Sequence, residues 1–144
     1  SRDNPVFYVQ YAHARTASVE RLARDNLPPG GRDGEVLADP ASQALASLED
    51  PGEMALIRQL MGYPRVVEGA AVAREPHRIA FYLHDLASMF HAQWNRGKEL
   101  PQLRFTASGD PAADRARLAL VRAVKLVLGS GLAILGVSAP EEMR

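Results

Sequence analysis

Cysteine is absent from the 144-residue chain, which excludes disulfide bonds, thiolate metal sites and cysteine nucleophiles. An excess of either charge is also absent, because 17 basic residues balance 17 acidic ones. Proteins that bind nucleic acid on their own usually carry a net positive charge, since phosphate contacts supply much of their affinity. If this chain binds nucleic acid, it does so as part of a larger protein or through a small local patch. No apolar run approaches the roughly 20 residues that span a bilayer, so we expect no membrane segment.

The remaining composition predicts one globular unit. Hydrophobic residues make up 47% of the chain, enough for one core, and we expect a single domain over residues 1–144. The apolar residues recur mostly at three- and four-residue steps, which indicates helices, and no segment alternates long enough to predict a strand. The predicted fold class is therefore all-α, a bundle of about five or six helices.

Cap residues followed by proline mark several predicted helix starts, notably Asn4-Pro5, Asp50-Pro51 and Asp110-Pro111. Glu53 completes a capping-box pattern with Asp50. The predicted helices span about residues 5–24, 41–48, 51 to the break at 63–64, 65–73, 76–96 and 111–135. Residues 25–34 and 97–109 are predicted loops. The last helix is apolar on most sides, so we expect it at the centre of the bundle.

Catalytic and metal-binding patterns are weak in this chain. His77, His84 and His91 share one predicted helix face, but seven residues rise about 10.5 Å, too far for ligands of one ion. We interpret them as solvated or partly packed side chains. The Gly129-Ser130-Gly131 run lies inside an apolar helix without a preceding strand, which favours close helix packing over a phosphate loop. We expect neither a catalytic site nor a cofactor in this chain.

Two groups of aromatic and basic side chains could bind RNA. Tyr8, Tyr11 and Arg15 lie on adjoining turns of the first predicted helix, and Phe90, Trp94 and Arg96 lie near the end of the 76–96 helix. Unpaired bases stack on such rings and accept or donate hydrogen bonds at their edges. The same residue types also anchor protein interfaces, so a helical protein-interaction module is the alternative.

Three separated segments resemble a single known family in the same order. They are NPVFYVQYAHAR at residues 4–15, PHRIAFYLHDLASMFHAQWN from residue 76, and ARLALVRAVKLVLGSGLAILGVSAPEEM at residues 116–143. They resemble the C-terminal DALR-type anticodon-binding domain of arginyl-tRNA synthetase, a class I enzyme. The resemblance implies an all-helical domain that binds the anticodon loop of tRNA(Arg).

The catalytic signatures of that enzyme class, of the HIGH and KMSKS types, are missing from this chain. The resemblance therefore implies an excised domain of a longer, cytoplasmic arginine–tRNA ligase. The catalytic domain, where ATP would bind with Mg²⁺, would belong to the rest of the same polypeptide.

The resemblance also implies which side chains lie near the anticodon loop. Tyr11, Trp94 and Met143 are carried over first, with Tyr8, His13, Arg15, Phe90 and Arg96 as their neighbours. Gln93-Trp94 stands where many members of the family have two aromatic residues, and Glu142 stands where a basic residue commonly precedes the methionine.

Overall fold

The computed structural model describes residues 4–26, 46 and 48–143 of the chain. This part contains five α-helices, one short 3₁₀ helix and no strand, so the predicted all-α class is confirmed. The elements are α1 (Pro5–Asp25), α2 (Pro51–Met61), α3 (Tyr63–Ala73), α4 (His77–Glu99), the 3₁₀ helix (Pro101–Leu103) and α5 (Pro111–Ile134). The predicted 25–34 loop lies outside the described residues from residue 27 on. The predicted 41–48 helix also lies outside them, except for residues 46 and 48.

Side-chain caps begin three of the helices as predicted. The carboxamide or carboxylate oxygens of Asn4, Asp50 and Asp110 accept hydrogen bonds from backbone N–H groups of the first turn, and a proline follows each cap. The predicted capping box at α2 forms only on the Asp50 side. Glu53 is fully buried, and its carboxylate accepts a hydrogen bond from Arg117 Nε of α5 at 2.7 Å. Glu53 thus joins two helices instead of capping its own.

The central helix is α4, which packs against all four other α-helices and the 3₁₀ segment. The prediction that the last helix lies at the centre is wrong. Leu128 and Leu132 on one side of α5 are buried, but Leu126 is 73% exposed and Ile134 is 51% exposed on the other sides. An apolar sequence on most sides of a helix does not ensure that neighbours cover every side.

Close packing between α4 and α5 depends on Gly131. A Cβ atom at this position would lie 2.5 to 2.9 Å from side-chain atoms of Leu83, which is fully buried. The interpretation of the 129–131 run as a helix contact is therefore confirmed. None of the helices within the described ranges is long and apolar enough to cross a membrane.

The chain turns back on itself after α4, which ends at Glu99 rather than near residue 96. Gly97 allows this turn, because a Cβ atom there would lie 3.2 Å from Arg104 Cα. The segment 100–106 follows, and both Leu103 and Phe105 are buried in it. Part of the predicted polar loop thus contributes two apolar residues to the interior, next to the end of α4.

Candidate nucleic-acid interface

Tyr8, Tyr11 and Arg15 form one stripe of α1, as their spacing predicts. Tyr11 is 38% exposed, while Tyr8 and Arg15 are half-buried. Arg15 Nη2 donates a hydrogen bond to the Tyr11 hydroxyl at 2.5 Å, and Arg15 Cζ lies 4.8 Å from the centroid of the Tyr11 ring. The tyrosine and the guanidinium therefore form one connected polar and aromatic group.

Trp94 of α4 brings the second predicted group to the first. Arg15 Cζ lies 5.2 Å from the centroid of the Trp94 ring, so the guanidinium contacts one aromatic ring from each helix. Trp94 is half-buried. We call these three side chains the Tyr11–Arg15–Trp94 surface. The structure unites at one place two groups that the sequence could only predict separately.

Phe90 lies beneath this surface and is fully buried. Its ring stacks on Phe105 with centroids 5.5 Å apart, and Phe105 in turn stacks on Trp94 at 6.2 Å. In this conformation the Phe90 ring has no face open to a ligand. It supports Trp94 through Phe105, and any contribution to binding passes through that support.

His91 belongs to the same place, although the sequence reasoning did not select it as a site residue. Its ring lies 5.0 Å from Tyr8 and 5.4 Å from Tyr11, and Arg15 Nη1 lies 3.2 Å from its Nδ1. Because a guanidinium only donates, Nδ1 must accept, which requires the neutral ring. Burial, and then the nearby positive charge of Arg15, lowers the pKa of His91 to about 4. Its position three residues before Trp94, on the adjoining turn of the same helix, was the available signal.

Arg96 forms an ion pair with Asp50. Its guanidinium donates to both carboxylate oxygens of Asp50, at 2.5 and 2.8 Å, and so ties α4 to the start of α2. Burial raises the pKa of Asp50, but hydrogen bonds from Arg96, from the Gln93 side chain and from the Glu53 backbone outweigh it and hold the pKa below its usual value. The structure thus gives Arg96 a partner within the protein, beside the surface that contains Trp94.

His13 and the residues that lead to Met143 lie elsewhere on α1. His13 is 5% exposed, and its Nδ1 lies 2.7 Å from the Pro140 carbonyl oxygen. Gln10 contacts Ser138 and Arg21 contacts Glu141, so the C-terminal segment follows α1. The three α1 residues in these contacts lie roughly 150° around the helix from the Tyr8, Tyr11 and Arg15 stripe. The structure therefore does not bring this segment to the Tyr11–Arg15–Trp94 surface.

Three cations without a carboxylate partner in the described residues lie near Trp94, although the chain is neutral overall. In the described residues, no salt bridge involves Arg15, Lys98 or Arg104, and Lys98 Nζ lies 6.0 Å from the centroid of the Trp94 ring. Some cations elsewhere are paired with carboxylates, as in Arg117 with Glu53 and Lys125 with Glu20. A local patch of this kind can attract phosphate without a net positive charge on the whole chain.

In the described part of the chain, no three acidic or histidine side chains are grouped so that they could hold a metal ion. His77 and His84 are exposed and His91 is buried, in agreement with their interpretation as solvated or packed side chains.

Comparison with known proteins identifies the family. The sequence model of the DALR anticodon binding domain matches residues 9–143, and the chain belongs to this family. Matching relatives include arginine–tRNA ligases. The chain is 58% identical over 144 residues to the ligase of Methylobacterium nodulans and 57% identical over 145 residues to that of Nitrobacter hamburgensis. Each match covers the whole chain but only 24% of the relative, so the chain spans about a quarter of the length of these curated relatives.

A solved structure agrees with this assignment. The arginyl-tRNA synthetase of Thermus thermophilus matches 99% of this chain and 22% of its own, with a TM-score of 0.73 and 34% identity. The family resemblance inferred from the three sequence segments is therefore confirmed.

Proposed function

We propose that this chain is the anticodon-binding domain of an arginine–tRNA ligase and that it holds unpaired bases of the tRNA(Arg) anticodon loop on the Tyr11–Arg15–Trp94 surface. The observation that carries this proposal is the guanidinium of Arg15 in contact with two aromatic rings from different helices. Unpaired bases stack on aromatic rings and on guanidinium planes alike. Arg15 and the Tyr11 hydroxyl can also hydrogen-bond to base edges or phosphates.

The remaining predicted residues take different parts in this proposal. Tyr8 borders the surface through its contact with His91. Phe90 and Arg96 position Trp94 and the end of α4, whereas His13 fixes the C-terminal segment on α1. A direct contact of Met143 with RNA would require the end of the chain to reach the loop from another side of α1.

The chemistry of aminoacylation is assigned to the rest of the longer protein. We propose that the parent ligase forms arginyl-tRNA in the cytoplasm, using ATP and Mg²⁺ in a catalytic domain outside this chain. The domain described here supplies recognition of the tRNA and contributes no reacting group.

Binding by the isolated chain should be weak and only slightly dependent on salt. The whole chain is neutral, and few cations near Trp94 are free of carboxylate partners, so few phosphates can be neutralised. The family resemblance implies that the central C of the tRNA(Arg) anticodon is a main identity base. The first test is therefore a titration with an RNA stem-loop that carries this anticodon, against the same stem-loop with the central C replaced. Equal affinity for both, or no binding even at low salt, would contradict recognition and favour the protein-interaction alternative.

A pair of aromatic substitutions tests the location of the site. Removing an aromatic ring beneath a base costs about 1 to 3 kcal/mol of binding free energy, so Trp94→Ala should weaken stem-loop binding by that amount. Phe81→Ala is the matched control, because Phe81 is 68% exposed and lies 13 residues, or roughly 20 Å, away along the same helix. Equal binding by the two variants would remove Trp94 from the site.

Folding must be measured in the same samples, because Trp94 also packs against Phe105. Circular dichroism and thermal unfolding show whether Trp94→Ala remains folded. If it does not, Trp94→Leu keeps apolar volume over Phe105 but removes the stacking ring. Unchanged stem-loop binding by a folded Trp94→Leu variant would contradict the proposal.

A further inference from the structure

A small open pocket lies beside Trp94, between the end of α4 and the 100–106 segment. Its volume is about 270 Å³, and its lining includes Trp94, Gly97, Lys98, Arg104, Phe105 and Thr106. Pockets for drug-sized ligands start at roughly 300 Å³, so this one suits a single ring system with a small substituent. The pocket adjoins the Tyr11–Arg15–Trp94 surface but uses none of its α1 residues.

The lining offers both flat and charged partners. Trp94 supplies an aromatic wall, while Lys98 and Arg104 are exposed cations that form no salt bridge in the described residues. Within the same ranges, no hydrogen bond involves the hydroxyl of Thr106, which is part of the lining. An aromatic wall, two cations and a hydroxyl group without a partner match a flat heterocycle joined to an anion.

The shape of the pocket is fixed by buried groups behind it. Phe105 is 4% exposed and is held between Phe90 and Trp94. Gly97 lets the Arg104 backbone lie directly against α4. Ala107 then adopts a left-handed backbone conformation with φ of 53°, which is uncommon for a residue other than glycine. The pocket is thus formed before any ligand arrives, which lowers the cost of binding.

We infer that this pocket binds a nucleoside monophosphate unit, with its base against Trp94 and its phosphate between Lys98 and Arg104. In the anticodon loop this unit would be a second unpaired nucleotide, next to the one on the Tyr11–Arg15–Trp94 surface. This source of the nucleotide rests on the proposed function, whereas the chemistry of the pocket does not. The pocket extends recognition from the face shared by α1 and α4 to the 100–106 segment.

The first arm of the test uses adenosine 5′-monophosphate and adenosine as probes of the 144-residue chain. Trp94 is the only tryptophan, so its indole N–H gives one resolved nuclear magnetic resonance signal, and the Thr106 amide reports on the 100–106 side of the lining. We expect saturable shifts of both signals with the monophosphate and weaker binding of adenosine. The double variant Lys98→Gln/Arg104→Gln should bind the monophosphate at least about fivefold more weakly, since a phosphate contact contributes through its charge.

Arg65→Gln is the matched control for charge. Arg65 is exposed on α3, which contacts α4 near Tyr82, twelve residues and roughly 18 Å before Trp94. It should leave monophosphate binding unchanged. Lys98 and Arg104 are exposed, so the double variant should keep the melting temperature of the parent chain.

The second arm uses the stem-loop with the tRNA(Arg) anticodon. We expect it to shift the Thr106 and Arg104 amides, and we expect the double variant to bind about tenfold more weakly with a log-log salt slope smaller by about one. If the stem-loop binds but leaves these amides unmoved, and the double variant matches Arg65→Gln, the pocket inference is overturned and the proposed function stands. If only the monophosphate binds, the pocket stands and the proposed function fails. If neither probe binds, both are overturned.

Discussion

Acid should destabilise the folded chain through His91. The ring is 8% exposed and lies among Tyr8, Tyr11 and Phe90, and its Nδ1 accepts from Arg15. Protonation would place a second donor opposite the guanidinium and add a buried positive charge beside it. The pKa of His91, about 4, is therefore below the ordinary value of 6.5.

The direction and size of the effect follow from proton linkage. Between pH 6.5 and 4 the unfolded chain binds a proton at residue 91 that the folded chain does not, so stability falls as the pH falls. A shift from 6.5 to about 4 removes about 2 kcal/mol of unfolding free energy by pH 5 and about 3 kcal/mol by pH 4. Urea unfolding followed by circular dichroism, repeated from pH 7.5 to 4, measures this loss.

Carboxylates also titrate in this range, so the comparison must isolate His91. His91→Leu removes the titrating ring and should flatten the pH dependence by about 2 kcal/mol at pH 5, whatever its stability at neutral pH. His84→Gln is the control, because His84 is exposed on the same helix, and it should retain the full loss. If His91→Leu and the parent chain lose stability in parallel on acidification, the account of a buried neutral histidine is refuted.

Three further predictions concern packing and the interior. Gly131→Ala should lower the unfolding free energy by about 1 to 3 kcal/mol, because the new Cβ would overlap the buried Leu83 side chain. Gly129→Ala should raise it by up to about 1 kcal/mol through helix propensity, because the nearest atom to its Cβ, His13 Nε2, lies 3.4 Å away. Urea unfolding of both variants should give changes of opposite sign. Leu128→Ala should cost about 2 to 5 kcal/mol, since Leu128 is fully buried, and an unchanged melting temperature would contradict that position. Burial, with a smaller effect of Tyr63, raises the pKa of Tyr82 to about 12. The contribution of the neutral Tyr82 to folding stability is therefore complete below pH 10 and is lost as the pH rises towards 12. Tyr82→Phe should lack this alkaline loss of stability in unfolding curves.

Local signals predicted the helices well, and long-range contacts account for the errors. The α1 helix begins at Pro5 as predicted, because a cap residue and a proline act within one turn. It ends at Asp25, one residue later than predicted. Gly97 begins the predicted 97–109 loop, yet α4 continues through it to Glu99. The glycine serves a long-range contact there, because the Arg104 backbone occupies the space that a side chain would need. The buried Glu53–Arg117 pair joins residues 64 positions apart, and the sequence contains no signal for it.

The candidate site shows the same division. The contact between Tyr11 and Arg15 follows from four-residue spacing on one helix and could be predicted. The contact between Arg15 and Trp94 depends on how α1 packs against α4, which helical periodicity does not determine. The family resemblance supplied both residues, but it gave no indication that Phe90 is buried or that Arg96 pairs with Asp50. RNA contact by the eight predicted residues stays a prediction.

The packing of α1 against α5 sets a condition on synthesis of the chain. The two helices are separated by about 85 residues. A ribosome that adds 5 to 20 residues per second needs roughly 4 to 17 seconds to synthesise this intervening segment. During that time the apolar side of α1, with Val9, Ala12 and Val19, lacks its later partner. Chaperone binding to the nascent chain should therefore be strongest after α1 emerges and should end once α5 has been released.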